Sequence, residues 1–280
     1  MKFEQEFREA KPKYEYLLNE FRDALEVDEV TWEMLTLRNL TKIKDFLLEE
    51  CSANSVATYC AVFKAFLAQF SDTDLLPCGK GYKNALRVKK TASEQITLNE
   101  TEMALIELYE PKSKCEREVK AQFMCEYYSL ARYSDIQNFT PENINEEEGV
   151  ITYVSKKTKK TAIVPLHRNF LRYFNERGDS HNTWVYNTTM KRIARRCGID
   201  TPVKIFYRGK EQVKDKCDLV GSHTARRSAA TNLAKRGVPI PTIAKMMSHG
   251  QDFAMTQRYI WIDEVQLDEN GRAFFLKDKL

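Results

Sequence analysis

The side chains best suited to chemistry lie in the second half of the chain: Arg132, Lys157, His223, Arg226, His249 and Tyr259. His223 and Arg226 frame His-Thr-Ala-Arg, and His249 opens a run, His-Gly-Gln-Asp-Phe-Ala-Met-Thr-Gln-Arg-Tyr, that ends at Tyr259. Guanidinium and ammonium groups bind phosphate oxygens, and imidazole takes and returns protons near neutral pH. A phenol oxygen can attack phosphorus, but with a pKa of about 10 it is almost wholly protonated at neutral pH, so it needs cations and a proton acceptor close by. Two arginines, two histidines and a lysine supply both. The chemistry this set can carry is phosphoryl transfer onto Tyr259.

Order and spacing make the set specific, because a lone H-x-x-R is weak in an arginine-rich chain. Read in order, Arg132, Lys157, His223, Arg226, His249 and Tyr259 resemble the tyrosine recombinases, the phage and transposon integrases. The family pattern runs arginine, a hairpin lysine, H-x-x-R, a second histidine, then tyrosine. The flanks are similar too. Leu-Ala-Arg132-Tyr-Ser-Asp135-Ile looks like the family's first-arginine box, in which an acidic residue three positions on holds the arginine, and Asp135 fits that role. Val150 to Leu166 is similar to the family's two strands with a basic turn, where either Lys156 or Lys157 is the acid and Lys157 has the usual distance before Pro165-Leu166. Leu130 stands where the box commonly has glycine, and the stretch after the second histidine is one residue longer than the commonest spacing.

The resemblance implies a fold, mainly α with a small antiparallel β-sheet (α+β), and an activity: a site-specific recombinase that cleaves and rejoins DNA through a 3′-phosphotyrosine, for integration or excision of a phage or mobile element. It implies Arg132 and Arg226 on the non-bridging oxygens, Tyr259 as nucleophile and Lys157 as acid to the leaving 5′ oxygen. His223 would exchange the tyrosine proton, and His249 would donate a hydrogen bond to the phosphate. It further implies double-stranded DNA with specific recombination sites as partner, a homo-tetramer on that DNA, and room for a DNA-bending accessory protein. Phe274, Phe275 and Leu276 in the C-terminal tail are expected to dock on a neighbouring subunit. No cofactor and no metal is expected. The competing readings are a catalytically silent DNA-binding protein of the same fold and strand relaxation in the manner of a type IB topoisomerase.

Composition is that of a globular chain, 42% hydrophobic and 30% charged over 280 residues. No apolar run reaches the roughly 20 residues that span a membrane, and the start has no apolar signal core, so a cytoplasmic protein with no membrane partner is expected. Seven cysteines without a C-x-x-C pair read as reduced and mostly buried. His167 and His181 lie apart from the other histidines, so no metal-ligand spacing is present. The net charge of +4 is uneven: the first 80 residues hold ten Lys and Arg against fifteen Asp and Glu, leaving +9 on the remainder. Phosphate-neutralising cations should therefore lie mainly beyond residue 80.

The elements that must position these groups are mostly helical. Leu37, Leu40, Ile43, Phe46 and Leu47 fall at helical spacing within 35–50, and a second helix with Val56, Tyr59, Phe63 and Phe66 on one face is expected to start at Asn54 or Ser55. Residues 1–82 thus read as a helical bundle, similar to the family's core-binding domain, with the chain beginning directly there. Residues 83–96 read as a basic linker. Lys80, Lys83, Arg87, Lys89 and Lys90 are its candidate DNA contacts, joined by Lys156 in the turn and by Lys191, Arg192 and Arg195 on a helix over 184–197. Residues 97–280 read as the catalytic domain and tail. There a helix from about 116 runs to Arg132, strands cover 149–155 and 161–166, and helices cover 224–236 and 239–247.

Overall fold

The structure, a computed structural model, describes residues 2–90, 96–179, 181–207, 210–250, 252–257 and 259–260. The chain divides into two compact units, Met1–Glu94 with Lys204–Val213, and Gln95–Val203 with Lys214–Leu280.

In the first unit the helices are α1 Phe3–Ala10, α2 Leu17–Leu25, α3 Leu37–Glu50, α4 Ala53–Leu67 and the one-turn α5 Tyr82–Ala85. Their amphipathic faces meet in an aromatic core of Phe3, Phe7, Phe21, Trp32, Phe63 and Phe66, each worth about 1.5–3 kcal/mol for leaving water. The expected periodicity of α3 holds at Leu40, Ile43 and Leu47, whereas Leu37 is largely exposed. Helix α4 starts earlier than expected, because Ser52 is the cap: its Oγ accepts from the Ser55 amide. Tyr82 and Leu86 are buried in this core, so packed structure continues into the basic stretch.

The second unit contains α6 Glu100–Leu108, α7 Lys114–Ser129, α8 Tyr133–Ile136, β1 Ile144–Asn145, β2 Val150–Val154, β3 Thr161–Pro165, α9 Phe170–Glu176 and α10 Thr183–Arg196. Strands β4 Pro202–Tyr207 and β5 Lys210–Asp215 pair with each other and fall mostly in the Lys204–Val213 segment grouped with the first unit, and α11 Thr224–Lys235, α12 Ile240–Met246 and α13 Phe253–Gln257 of the second unit follow. The sheet β1-β2-β3 is antiparallel throughout, with Ile151 opposite Val164 and Tyr153 opposite Ala162 on its buried face. A central α7, buried over most of its surface, packs against α9, α10 and α11. The chain is therefore mainly helical with small antiparallel sheets, as the sequence implies.

One boundary differs in a way that matters for the site. Helix α7 stops at Ser129, because Leu130 turns into the left-handed region (φ 52°), and Arg132 becomes the extended N-cap residue of α8 instead of a helical residue. Cysteines differ as well: Cys60, Cys125 and Cys217 are buried, the other four are only partly so, and all seven are free thiols. No helix among the described residues is long and apolar enough to cross a membrane.

Candidate active site

Four sequence-distant segments converge in the second unit. Leu130 of the α7–α8 junction, the β2–β3 turn, the N-terminal end of α11 and the loop after α12 each bring a polar group to one place.

Arg132 is buried, 6% exposed, and its Nη1 donates to Ser155 Oγ at 2.8 Å and to Ser248 Oγ at 3.3 Å. Asp135, one helical turn on, lies 3.7 Å from the same nitrogen; its Oδ2 accepts from Ser155 Oγ and its Oδ1 from the Lys156 amide at 2.8 Å. A buried cation is thus balanced by a buried carboxylate that also fixes the start of the turn.

Arg226 is fully buried. It donates through Nη1 to the Leu130 carbonyl, through Nη2 to the Met247 carbonyl at 2.6 Å, and through Nη2 to His249 Nε2 at 3.0 Å, while its buried Nε has no partner among the described residues. Burial, then repulsion from Arg132, lowers its pKa. Leu130 thereby does two things: its left-handed backbone aims a carbonyl at Arg226, and its side chain fills the core.

Guanidinium nitrogens only donate, so His249 Nε2 is an acceptor and its proton sits on Nδ1, which donates to Thr256 Oγ1 at 2.9 Å. Burial and the charges of Arg226 and Arg132 push the His249 pKa down to about 4, in keeping with a neutral ring. The donor role expected for His249 requires exchanging this acceptor arrangement.

Tyr259 is half-buried beside this pair. Its ring centre lies 5.3 Å from that of His249 and 5.6 Å from the Arg226 guanidinium carbon, and Thr231 Oγ1 donates to its carbonyl at 3.0 Å. Negative charge on the Tyr259 oxygen would also favour the charged form of Arg227, a neighbour that the motif passes over. Arg227 donates to the Ile96 carbonyl at 3.0 Å, has a buried Nε with no partner among the described residues, and has its pKa pushed down to about 10 by burial. A second phenol, Tyr153, sits in the same region, but burial holds its proton with a pKa of about 12.

His223 stands at the N-cap position of α11, without a side-chain capping bond, and is exposed; partial desolvation and then repulsion from Arg227, Arg226, Arg132 and Lys157 lower its pKa. Lys157 is exposed in the β2–β3 turn, and among the described residues its ammonium has no ion pair or hydrogen bond. Its charge acts on His223; Lys156 instead contributes its amide to Asp135. No hydrogen bond joins His223 to Tyr259 among the described residues.

The candidate DNA contacts fall into two groups. Lys80, Lys83, Arg87, Lys89 and Lys90 are all exposed in the first unit, with Lys80 3.0 Å from Asp72. On α10, Lys191 is partly exposed, while Arg192 lies 3.7 Å from Glu116 and Arg195 lies 2.6 Å from Asp218. Among the described residues, ligand-type atoms come together only at Asp215, Cys217 and Asp218, of which Asp218 is the one held by Arg195.

Ser155, Thr158, Lys160, Ser248, Thr256 and Arg227 belong to the site and were not singled out by the sequence. Arg227 alone carried a local signal, as the second of two adjacent arginines.

A helical unit with a three-stranded antiparallel sheet, holding two buried arginines, a buried histidine and a half-buried tyrosine in one cluster, defines a tyrosine-recombinase fold. Residues 95–264, more than half of the chain, match the family model of the phage integrase family, and the chain belongs to that family. Among curated relatives, the tyrosine recombinase XerC of Thermodesulfovibrio yellowstonii (strain ATCC 51303 / DSM 11347 / YP87) is 22% identical over 273 residues, covering 91% of this chain and 86% of the relative. Among solved structures, the Tn1549 transposon integrase in complex with transposon right end DNA superposes with a TM-score of 0.67 at 13% identity, covering 100% of both chains. A lambda integrase dimer bound to a COC′ core site gives a TM-score of 0.65 at 12% identity, covering 90% of this chain and 92% of that one. At such identities the structural likeness is one of fold.

Proposed function

We propose that this chain is a site-specific DNA recombinase that cleaves and rejoins DNA through a 3′-phosphotyrosine at Tyr259, in the integration or excision of a phage or mobile element. The observation that carries the proposal is the convergence of Arg132, Arg226, His249 and Tyr259, with His223 and Lys157 acting electrostatically at its edge. Arg132 and Arg226 supply donors to the non-bridging oxygens, where charge grows as phosphorus becomes pentavalent. The Tyr259 oxygen forms a bond to phosphorus as the bond to O5′ breaks. His223, whose lowered pKa keeps it neutral at neutral pH, takes the phenol proton, and Lys157 protonates O5′. Because phosphorus stays in a diester, a 5′ hydroxyl reverses the step and returns the protons.

The break between the units near residue 95 supports reading a core-binding domain followed by a catalytic domain and tail, proposed as 1–82 and 97–280 with 83–96 as linker, although residues 83–94 and 204–213 group with the first unit. A lambda integrase tetramer bound to a Holliday junction has this fold, so assembly as a tetramer on double-stranded DNA is part of the proposal. Phe274, Phe275 and Leu276 are its proposed docking segment; they lie outside the described residues.

Wild type and Tyr259→Phe are incubated in EDTA with nicked duplex fragments tiled from either side of the gene. The expected result is a denaturant-resistant adduct mapped to Tyr259 by mass spectrometry and absent from the variant. Binding without an adduct on any tile would instead favour the catalytically silent reading.

A further inference from the structure

The β2–β3 turn is fastened at every residue from 155 to 160 except one. Ser155 is fixed between Arg132 and Asp135, and the Lys156 amide donates to Asp135. Thr158 Oγ1 donates to the Ser248 carbonyl at 3.1 Å and lies 3.4 Å from Ser248 Oγ. The Lys159 amide donates to the Ser155 carbonyl at 2.8 Å, and the Ser155 amide to the Lys160 carbonyl at 3.0 Å. Lys160 Nζ donates to the His249 carbonyl at 3.1 Å, and its chain crosses Gly250 so closely that a Cβ there would lie 2.9 Å from Nζ. Among the described residues the exposed Lys156, Lys157 and Lys159 side chains have no hydrogen bond or ion pair, and of the three only Lys157 also has no bond from its backbone amide.

The bonds from Thr158 and Lys160 reach the loop that carries His249. That loop is itself shaped by left-handed residues, Ser248 (φ 53°) and Gly250 (φ 65°). Because Ser248 Oγ also accepts from Arg132, the turn, the loop and the first arginine form one connected unit.

We infer that Thr158 and Lys160 are positioning residues that set where the Lys157 ammonium is delivered, by latching the turn to the Ser248–Gly250 loop. The inference rests on the reading of Lys157 as acid. In the step concerned, the bond from phosphorus to O5′ breaks as the bond to Tyr259 forms, and the Lys157 proton ends on O5′. A misplaced ammonium slows only the protonation of the leaving group; phosphate binding and nucleophilic attack remain with other residues.

Replacing O5′ by sulfur at the mapped cleavage position separates these effects, because a thiolate is a good leaving group without a proton. Single-turnover cleavage is measured on oxygen and sulfur substrates for wild type, K157A, T158V, T158S and K160M, each first checked for native circular dichroism. K157A should lose about 10²–10⁴-fold on oxygen and approach wild type on sulfur. T158V and K160M should lose about 10- to 100-fold on oxygen, a displacement on the order of 1 Å, and nothing on sulfur. T158S, which keeps the hydroxyl, should restore the oxygen rate. If K157A is rescued by sulfur while T158V and K160M are slow on both substrates, or fast on both, the latch is overturned and the acid assignment stands. If K157A stays slow on sulfur, the acid assignment itself fails and the latch with it.

Discussion

At Leu130 a residue with a large side chain occupies a backbone conformation that favours glycine, at a cost of roughly 1–3 kcal/mol. The side chain is 3% exposed in the main core, and its carbonyl receives Arg226. Removing a buried leucine side chain costs about 2–5 kcal/mol, more than relief of the strain returns. Leu130→Gly is therefore expected to destabilise the protein by about 1–3 kcal/mol in urea unfolding. A more stable variant would mean that strain, and not packing, dominates there. His249 makes a second prediction. Its folded pKa of about 4 lies below the ordinary 6.5, so between these values the unfolded chain binds a proton that the folded chain refuses. The stability it contributes is complete above pH 6.5 and is lost as pH falls towards 4, amounting to about 3 kcal/mol for a shift of this size. His249→Asn should lose about that much less than wild type between pH 7 and pH 4. Parallel losses in the two proteins would contradict a buried neutral imidazole.

Elements were legible where they were long and periodic. Helix α3 follows its leucine spacing, and Gly198 and Gly237, both with positive φ, follow the ends of α10 and α11 as glycines after helices do. One-turn helices such as α5, α8 and α13 are too short to show a period, and β1 is two residues long. The end of α7 was hidden because no glycine or proline marks it; its left-handed residue is a leucine held by tertiary packing. The start of α4 shows the limit of cap reading. Ser52, Asn54 and Ser55 are all cap formers, and only the bond from the Ser55 amide to Ser52 Oγ selects among them. Ser52→Ala should thus lower stability by about 1 kcal/mol in thermal or urea unfolding. An unchanged stability would remove Ser52 as the cap. The six motif residues were found by order and spacing, while Thr158 and Ser248 meet across 90 residues of sequence and leave no local trace. For the same reason Asp135 was readable as a partner of Arg132 three positions away, but not as the anchor of the turn.

Over the whole molecule the first 80 residues are acidic and the remainder basic, which predicts that cations for DNA phosphates lie mainly in the remainder. Charge count alone overstates the cations available, because some are already neutralised. Arg195 and Arg192 face Asp218 and Glu116, and Lys80 faces Asp72, while Lys83, Arg87, Lys89 and Lys90 are exposed with no ion pair among the described residues. A cation with a carboxylate partner must give that partner up before it can replace counterions on a phosphate. Replacing Lys83, Arg87, Lys89 and Lys90 together by glutamine should lower the slope of log affinity against log salt by up to about 3–4, at about 0.9 per lost phosphate contact. The change should be the same on cognate and unrelated duplexes, since phosphate contacts carry no sequence information. Replacing Arg192 and Arg195 should change the slope by less than about 1. Fluorescence anisotropy with a labelled duplex across a salt series measures both. A larger loss from the α10 pair than from the four residues after Gly81 would mean that the ion pairs seen here open on DNA and that α10 carries the main electrostatic contact.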